Sequence, residues 1–184
     1  MKNEMKELRE LKKSFLYALK GFFYCVKNER NMRIHIVFAV FMFTFSLFFK
    51  LTSLEYAVLF LTIGMVIFCE IINTAIEALV NLSSPAYNSL AKVAKDVAAG
   101  GVFLSSIVAV FVGLVLFGNL EKLNYTLRVI FSSWHSVLLF VLILVFGILF
   151  IFKSFKLKIS NKVIGVDEVK IYKPKKNKNF NFKY

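Results

Sequence analysis

The sequence predicts an all-α, polytopic integral membrane protein. It has an N-terminal amphipathic helix in the membrane interface, three core transmembrane helices and a fourth. Three observations predict this. First, 58% of the 184 residues are hydrophobic, 22 of them Phe, and the mean hydropathy is +0.68; a soluble domain of this size cannot hide so much apolar surface. Second, Gly (8) and Pro (2) are scarce, so helices run long, and no series of alternating ten-residue strands suggests a barrel. Third, the basic residues flank the apolar runs. Residues 1–33 hold nine Lys/Arg, residues 153–184 hold ten, and Lys92 and Lys95 lie between the second and third runs. By the positive-inside rule both termini and the 81–96 loop face the cytoplasm, which places a multi-pass protein in the cell membrane. The net charge of +13 is thus assigned to topology and anionic lipid, with no nucleic-acid partner, because the charges do not line a separate domain. No segment reads as a cleaved secretory leader.

Residues 4–27 are amphipathic. Met5, Leu8, Leu11, Phe15, Leu19, Phe22 and Val26 recur at three- and four-residue steps, with lysines and Arg9 mainly between them. This suits a helix with its apolar face in lipid, and residues 1–33 form the cytoplasmic lip. The polar cluster at 28–35 follows, where Glu29 and Arg33 are spaced to pair on a helix.

Residues 34–118 form the three-span core. The first span, about 36–49, is short for a ~30 Å hydrocarbon layer and is expected to borrow residues up to about Tyr56 or to tilt little. A tight outer turn covers 50–55. The second span runs from about Tyr56 to Leu82, and a turn follows at 83–89. Lys95 and Asp96 cap the inner end of the third span, 97–117, whose Ala98, Ala99, Gly100, Gly101, Ser105 and Ser106 allow close helix approach. Residues 118–128 are an outer loop, 129–152 a fourth span, and 153–184 a basic cytoplasmic tail. Cys25 and Cys69 share no metal-ligand spacing and read as apolar fillers.

The second span carries the chemistry. Between residues 54 and 80 the only charges are Glu55, at the edge, and Glu70 and Glu77. A charge at membrane depth costs about 2.5–3.5 kcal/mol on insertion scales and marks a functional site by default. At about 100° per residue, Asn73, Thr74 and Glu77 fall within about 60° of Glu70, a polar stripe two turns long. With Glu29, Lys95 and Asp96 it makes an inner-leaflet set. Carboxylates suit Mg²⁺ bridging phosphates, a Lys suits phosphate, and a carboxylate in an apolar wall suits a general base on a hydroxyl. These are the needs of phosphoryl transfer, although no P-loop is present. The same stripe would also serve ion conduction, proton relay or assembly of a trimeric scaffold.

Three motifs narrow the choice. Glu29-Arg30-Asn31-Met32-Arg33-Ile34-His35, Glu70-xx-Asn73-Thr74-Ala75-Ile76-Glu77 and Leu90-Ala91-Lys92-xx-Lys95-Asp96-xx-Ala99-Gly100 occur in order. Over about residues 10–118 the chain resembles the prokaryotic diacylglycerol kinase family, and the first motif is most similar to its undecaprenol kinase branch. The resemblance implies a homotrimeric membrane enzyme that transfers the γ-phosphate of ATP to a lipid alcohol at the cytoplasmic face. Undecaprenol is the implied acceptor and diacylglycerol the alternative. Glu70 would be the base on the lipid hydroxyl, and Glu29 and Glu77 would hold Mg²⁺ on the ATP phosphates. Lys95 and Asp96 would contact the nucleotide and Asn73 would support the site. Tyr17, Tyr87 and Asn88 match nucleotide-contacting positions more loosely. Asn81 and Ala86 depart from the family pattern on the adenine side. The fourth span and tail lie outside that pattern, and residues 119–184 carry no Pro-Ser-Gly-His motif, so no phosphatase activity is expected.

Overall fold

The structure, a computed structural model, describes residues 2–83 and 88–153. Six helices and no strand occur among the described residues: α1 (Lys2–Asn28), α2 (Arg30–Phe49), α3 (Ser53–Ser83), α4 (Ser89–Phe117), α5 (Leu120–Ser132) and α6 (Trp134–Phe152). Four of them, α2, α3, α4 and α6, are long and apolar enough to cross a membrane. The protein is therefore an all-helical, polytopic membrane protein. The basic tail and Tyr87 lie outside the described residues.

The first span gains its length at the other end from the one expected. α2 starts at Arg30, inside the polar cluster, and stops at Phe49 with Lys50 in the left-handed region (φ 54°, ψ 61°). Twenty residues at about 1.5 Å each give about 30 Å, enough to span without residues from beyond the turn. The outer turn is correspondingly shorter. Glu55 belongs to the first turn of α3, where its Oε2 accepts from the Thr52 N–H at 2.6 Å and its own N–H donates to Thr52 Oγ1 at 3.3 Å. That is a capping box, with two orphan amide donors satisfied reciprocally.

The inner end of α4 also differs from expectation. Asn88 is its N-cap, accepting from the Leu90 and Ala91 amides at 2.9 and 3.3 Å. Lys95 and Asp96 sit in the second turn of the helix and do not cap it. Residues 118–128 are not a loop: α5 fills most of them, with Asn119 as N-cap accepting from the Lys122 N–H at 2.9 Å. Leu123, Thr126 and Ile130 recur at helical steps and turn inward, and the chain breaks only at Ser133 before the fourth span.

Two apolar clusters pin the bundle at its ends. Phe49, Leu51, Leu59 and Leu116 close the end near the α2–α3 turn. Cys25, Val26 and Met32 close the other, with Phe22, Ile36, Ile67, Ile71 and Phe150 around them. α3 and α4 share the most extensive contact, and α6 lies along α2. Only the last turns of α1 pack; Met5, Leu8, Leu11, Phe15 and Leu19 stay exposed, as an interfacial helix with its apolar face in lipid requires.

Candidate active site

The polar stripe of α3 forms as its spacing predicts. Glu70 is 1% exposed, Asn73 5% and Thr74 4%, while Glu77 is half-buried one turn nearer the helix end. Asn73 Nδ2 donates to Glu77 Oε1 at 3.3 Å, and the Thr74 hydroxyl donates to the Glu70 carbonyl at 2.9 Å. The Glu70 carboxylate itself has no partner. Both its oxygens and Asn73 Oδ1 are buried and make no hydrogen bond. A buried polar group left unpaired costs about 1–3 kcal/mol, more when charged, so this stripe is held against the interest of stability.

Glu29 joins these groups from the α1–α2 junction. It is half-buried, and its charge, like that of Glu77, acts on Glu70. Burial first, then the charge of Glu77, push the Glu29 carboxyl above the usual carboxylate range, with Arg33 partly offsetting them. The expected Glu29–Arg33 pair does not form. Glu29 is the N-cap residue, with extended backbone (φ −99°, ψ 120°), so it is not on a helix face four residues from Arg33. Arg33 turns instead to main-chain carbonyls, donating to Val26 O at 3.1 Å, Lys27 O at 3.0 Å and Ile151 O at 3.2 Å.

The remaining candidates are more loosely placed. Lys95 Nζ donates to Asn81 Oδ1 at 2.6 Å, tying the second turn of α4 to the last turns of α3. Asp96 and Asn88 are exposed. Tyr17 is 66% exposed on the unpacked part of α1, with Lys20 Nζ 5.6 Å from its ring centre. One chain thus gathers Glu29, Glu70, Asn73 and Glu77 but does not bring Tyr17 to them. Cys25 is buried in the apolar cluster with Val26 and Met32, and burial pushes its thiol above its usual range.

Two cavities adjoin beside this stripe, and Glu70 lines the polar one. A polar recess of about 230 Å³ is lined by Glu70, Asn73, Asn31 and the α4 residues Ala99, Val102 and Phe103. An apolar groove of about 470 Å³ runs from Ile67 and Val66 toward Leu59 between α2, α3 and α4. Ile34, His35 and Ser106 line both. Asn31 and Ser106 carry no direct sequence signal as lining residues; only the packing of α2 on α3 and α4 reveals them.

The carboxylates fit a divalent cation that is completed by a ligand. Among the described residues no three His, Cys, Asp or Glu side chains converge closely enough to hold a metal alone. Mg²⁺ needs only one or two protein carboxylates when phosphate oxygens and water fill the other positions. The oxygens of Glu70 and Asn73 in this recess are buried without a hydrogen-bond partner, a donor set that a bound cation would satisfy.

A helical membrane protein with a buried carboxylate in a polar recess beside an apolar groove defines the class of protein. The family model for prokaryotic diacylglycerol kinase matches residues 16–117, more than half of the chain, and the chain belongs to this family of lipid kinases. It is 34% identical over 116 residues to the undecaprenol kinase of Bacillus subtilis, covering 63% of this chain and 94% of that one. It is 42% identical over 113 residues to a diacylglycerol kinase of Synechocystis sp., covering 61% of this chain. The chain spans just under two thirds (65%) of that second relative. No solved structure matches the chain significantly.

Proposed function

We propose that this chain is an ATP- and Mg²⁺-dependent kinase that phosphorylates undecaprenol at the cytoplasmic face of the cell membrane, working as a homotrimer with both termini cytoplasmic. One observation carries the reading: a buried carboxylate without a partner, Glu70, lines a polar recess that shares Ile34, His35 and Ser106 with an apolar groove. A lipid alcohol placing its tail in the groove brings its hydroxyl to Glu70. A water-soluble nucleotide approaches from the Glu77 side.

Glu70 accepts the proton of the lipid hydroxyl as the oxygen bonds to the γ-phosphorus of ATP. The bond from that phosphorus to the β,γ-bridging oxygen breaks, and ADP leaves. Glu29 and Glu77 would hold Mg²⁺, which when bound offsets the charge of the phosphates. Asn73 keeps Glu77 in place through their 3.3 Å hydrogen bond. Lys95 supplies a cation for phosphate on leaving Asn81, and Asp96 and Asn88 stand at the nucleotide side.

Undecaprenol is preferred over diacylglycerol because the groove has few free donors for ester carbonyls. The Thr62 hydroxyl donates to Val58 O and that of Ser106 to Val102 O, both within their own helices. His35 is the one other side chain of the lining with an N–H donor. An isoprenoid alcohol has no ester to satisfy. The test uses purified protein in detergent with Mg²⁺, radiolabelled ATP and each lipid in turn. Labelled undecaprenyl phosphate is expected. Labelled phosphatidic acid alone transfers the assignment to diacylglycerol, and no product with either lipid, beside a working control, overturns the kinase reading.

A further inference from the structure

The fourth span lies beyond the 16–117 stretch that the family model matches, yet it is seated along the first span. Phe140 meets Phe41 and Phe48 with ring centres 5.5 and 5.7 Å apart. Gly147 passes so near Val37 that a Cβ built on it would stand 2.6 Å from Val37 Cγ1. Toward the end of α6, Phe150 joins the cluster around Cys25, Val26 and Met32, and the Arg30 guanidinium lies 5.2 Å from the Phe152 ring.

The final contact is polar. The last carbonyls of a helix have no intrahelical partner and carry the negative end of its dipole. Arg33, 7% exposed, gives its guanidinium to such carbonyls at two helix ends: Val26 and Lys27 in α1, and Ile151 in α6. One planar, always-charged fork therefore joins three helices, which a Lys cannot do with the same geometry. Glu29 is the single non-helical residue between α1 and α2. Its direction is set by how the end of α1 rests on the start of α2, and that is the contact Arg33 fastens.

We propose that Arg33 is a positioning residue for Glu29, and that the fourth span acts on the catalytic recess through it by seating on α2 and supplying the Ile151 carbonyl. This rests on the reading of Glu29 as a metal-side carboxylate; the mechanical part stands apart from it.

The test uses the full chain in lipid nanodiscs. Gly147→Ala unseats α6. Adding Val37→Ala removes both methyls and leaves Val37 Cβ 3.7 Å from the new methyl, an ordinary contact. Hydrogen exchange of the 26–33 amides is measured without metal or nucleotide, and kcat and KM for Mg·ATP are measured separately. Gly147→Ala is expected to speed exchange over 26–33 and to raise KM about tenfold, as loss of a supporting contact to a metal ligand does, with a smaller change in kcat. Val37→Ala/Gly147→Ala should restore both readouts. Arg33→Lys should reproduce the defect and should not add to Gly147→Ala, and it serves alone if the glycine variant fails to fold. Unchanged exchange over 26–33 in either variant, or a defect the double variant does not repair, overturns the proposal. So does faster exchange with an unchanged KM, provided that Glu29→Gln raises KM. If Glu29→Gln leaves KM unchanged, the metal-side reading of Glu29 is what has failed, and the positioning role falls with it.

Discussion

Glu70 carries a cost and, in the proposed reaction, a function in the same two oxygens. Its carboxylate is buried at membrane depth without a hydrogen bond, a placement that stability alone would remove. Glu70→Gln is therefore expected to raise the thermal midpoint of the protein in detergent while lowering lipid phosphorylation by about 10²–10⁴-fold, the usual contribution of a general base. A variant that keeps full activity would show that the base lies elsewhere. Glu77 is half-buried and already held by Asn73, and in the proposed reaction it serves the nucleotide and its metal. Glu77→Gln should leave stability nearly unchanged and shift the Mg²⁺ titration of activity upward by about tenfold. An unshifted titration would take Glu77 out of the metal site. Residue spacing revealed this stripe because a helix fixes the angle between Glu70, Asn73 and Glu77 whatever surrounds it. It misled at Glu29 and Arg33. The four-residue rule holds only where both residues are helical, and Glu29 is an extended N-cap.

At the scale of elements, helix ends decide more than helix middles. Asn88 occupies a position that the family resemblance gives to nucleotide contact, and here its Oδ1 is used to cap α4. Asn88→Ala should cost about 1 kcal/mol of stability, and Asn88→Ser should recover most of it, because Ser also caps. ATP affinity separates the roles: if Asn88→Ser restores stability but not KM for ATP, Asn88 contacts the nucleotide as well. The elements themselves were largely readable. Long apolar runs gave the spans, and the three- and four-residue steps of Met5 to Val26 gave α1. α5 was missed although its signals were present: Asn119 as a cap and the inward Leu123, Thr126 and Ile130. Its charges, Glu121, Lys122 and Arg128, drew it toward a loop, while packing against α2 and α6 holds it as a helix.

For the whole molecule, the open surface of α4 matters most. Little of this helix is buried by its own chain, and a Cβ added at Gly100 or Gly101 would meet nothing within 4 Å. Small residues that touch nothing in their own chain are suited to close approach by a neighbouring copy. Gly101→Val should therefore leave the secondary structure of the monomer intact and break the proposed homotrimer, read by native mass spectrometry from detergent. A trimer that survives the substitution would place the subunit contact on another face. For the exposed apolar face of α1 we propose a different covering, the membrane interface, since basic residues border it along its length.

The sequence by itself determined the fold class, the four helices long and apolar enough to span, the amphipathic N-terminal helix and the carboxylate stripe. All of these follow from local periodicity and from the cost of placing charge in hydrocarbon, which act within one segment. Tertiary structure alone decided what lies around that stripe: the apolar groove that adjoins the recess lined by Glu70, the use of Arg33 on two helix ends, and the seating of the fourth span on the first. These depend on side chains distant in sequence. Val37 and Gly147, or Arg33 and Ile151, carry no local pattern linking them, and only the close packing of α6 on α2 brings them within reach.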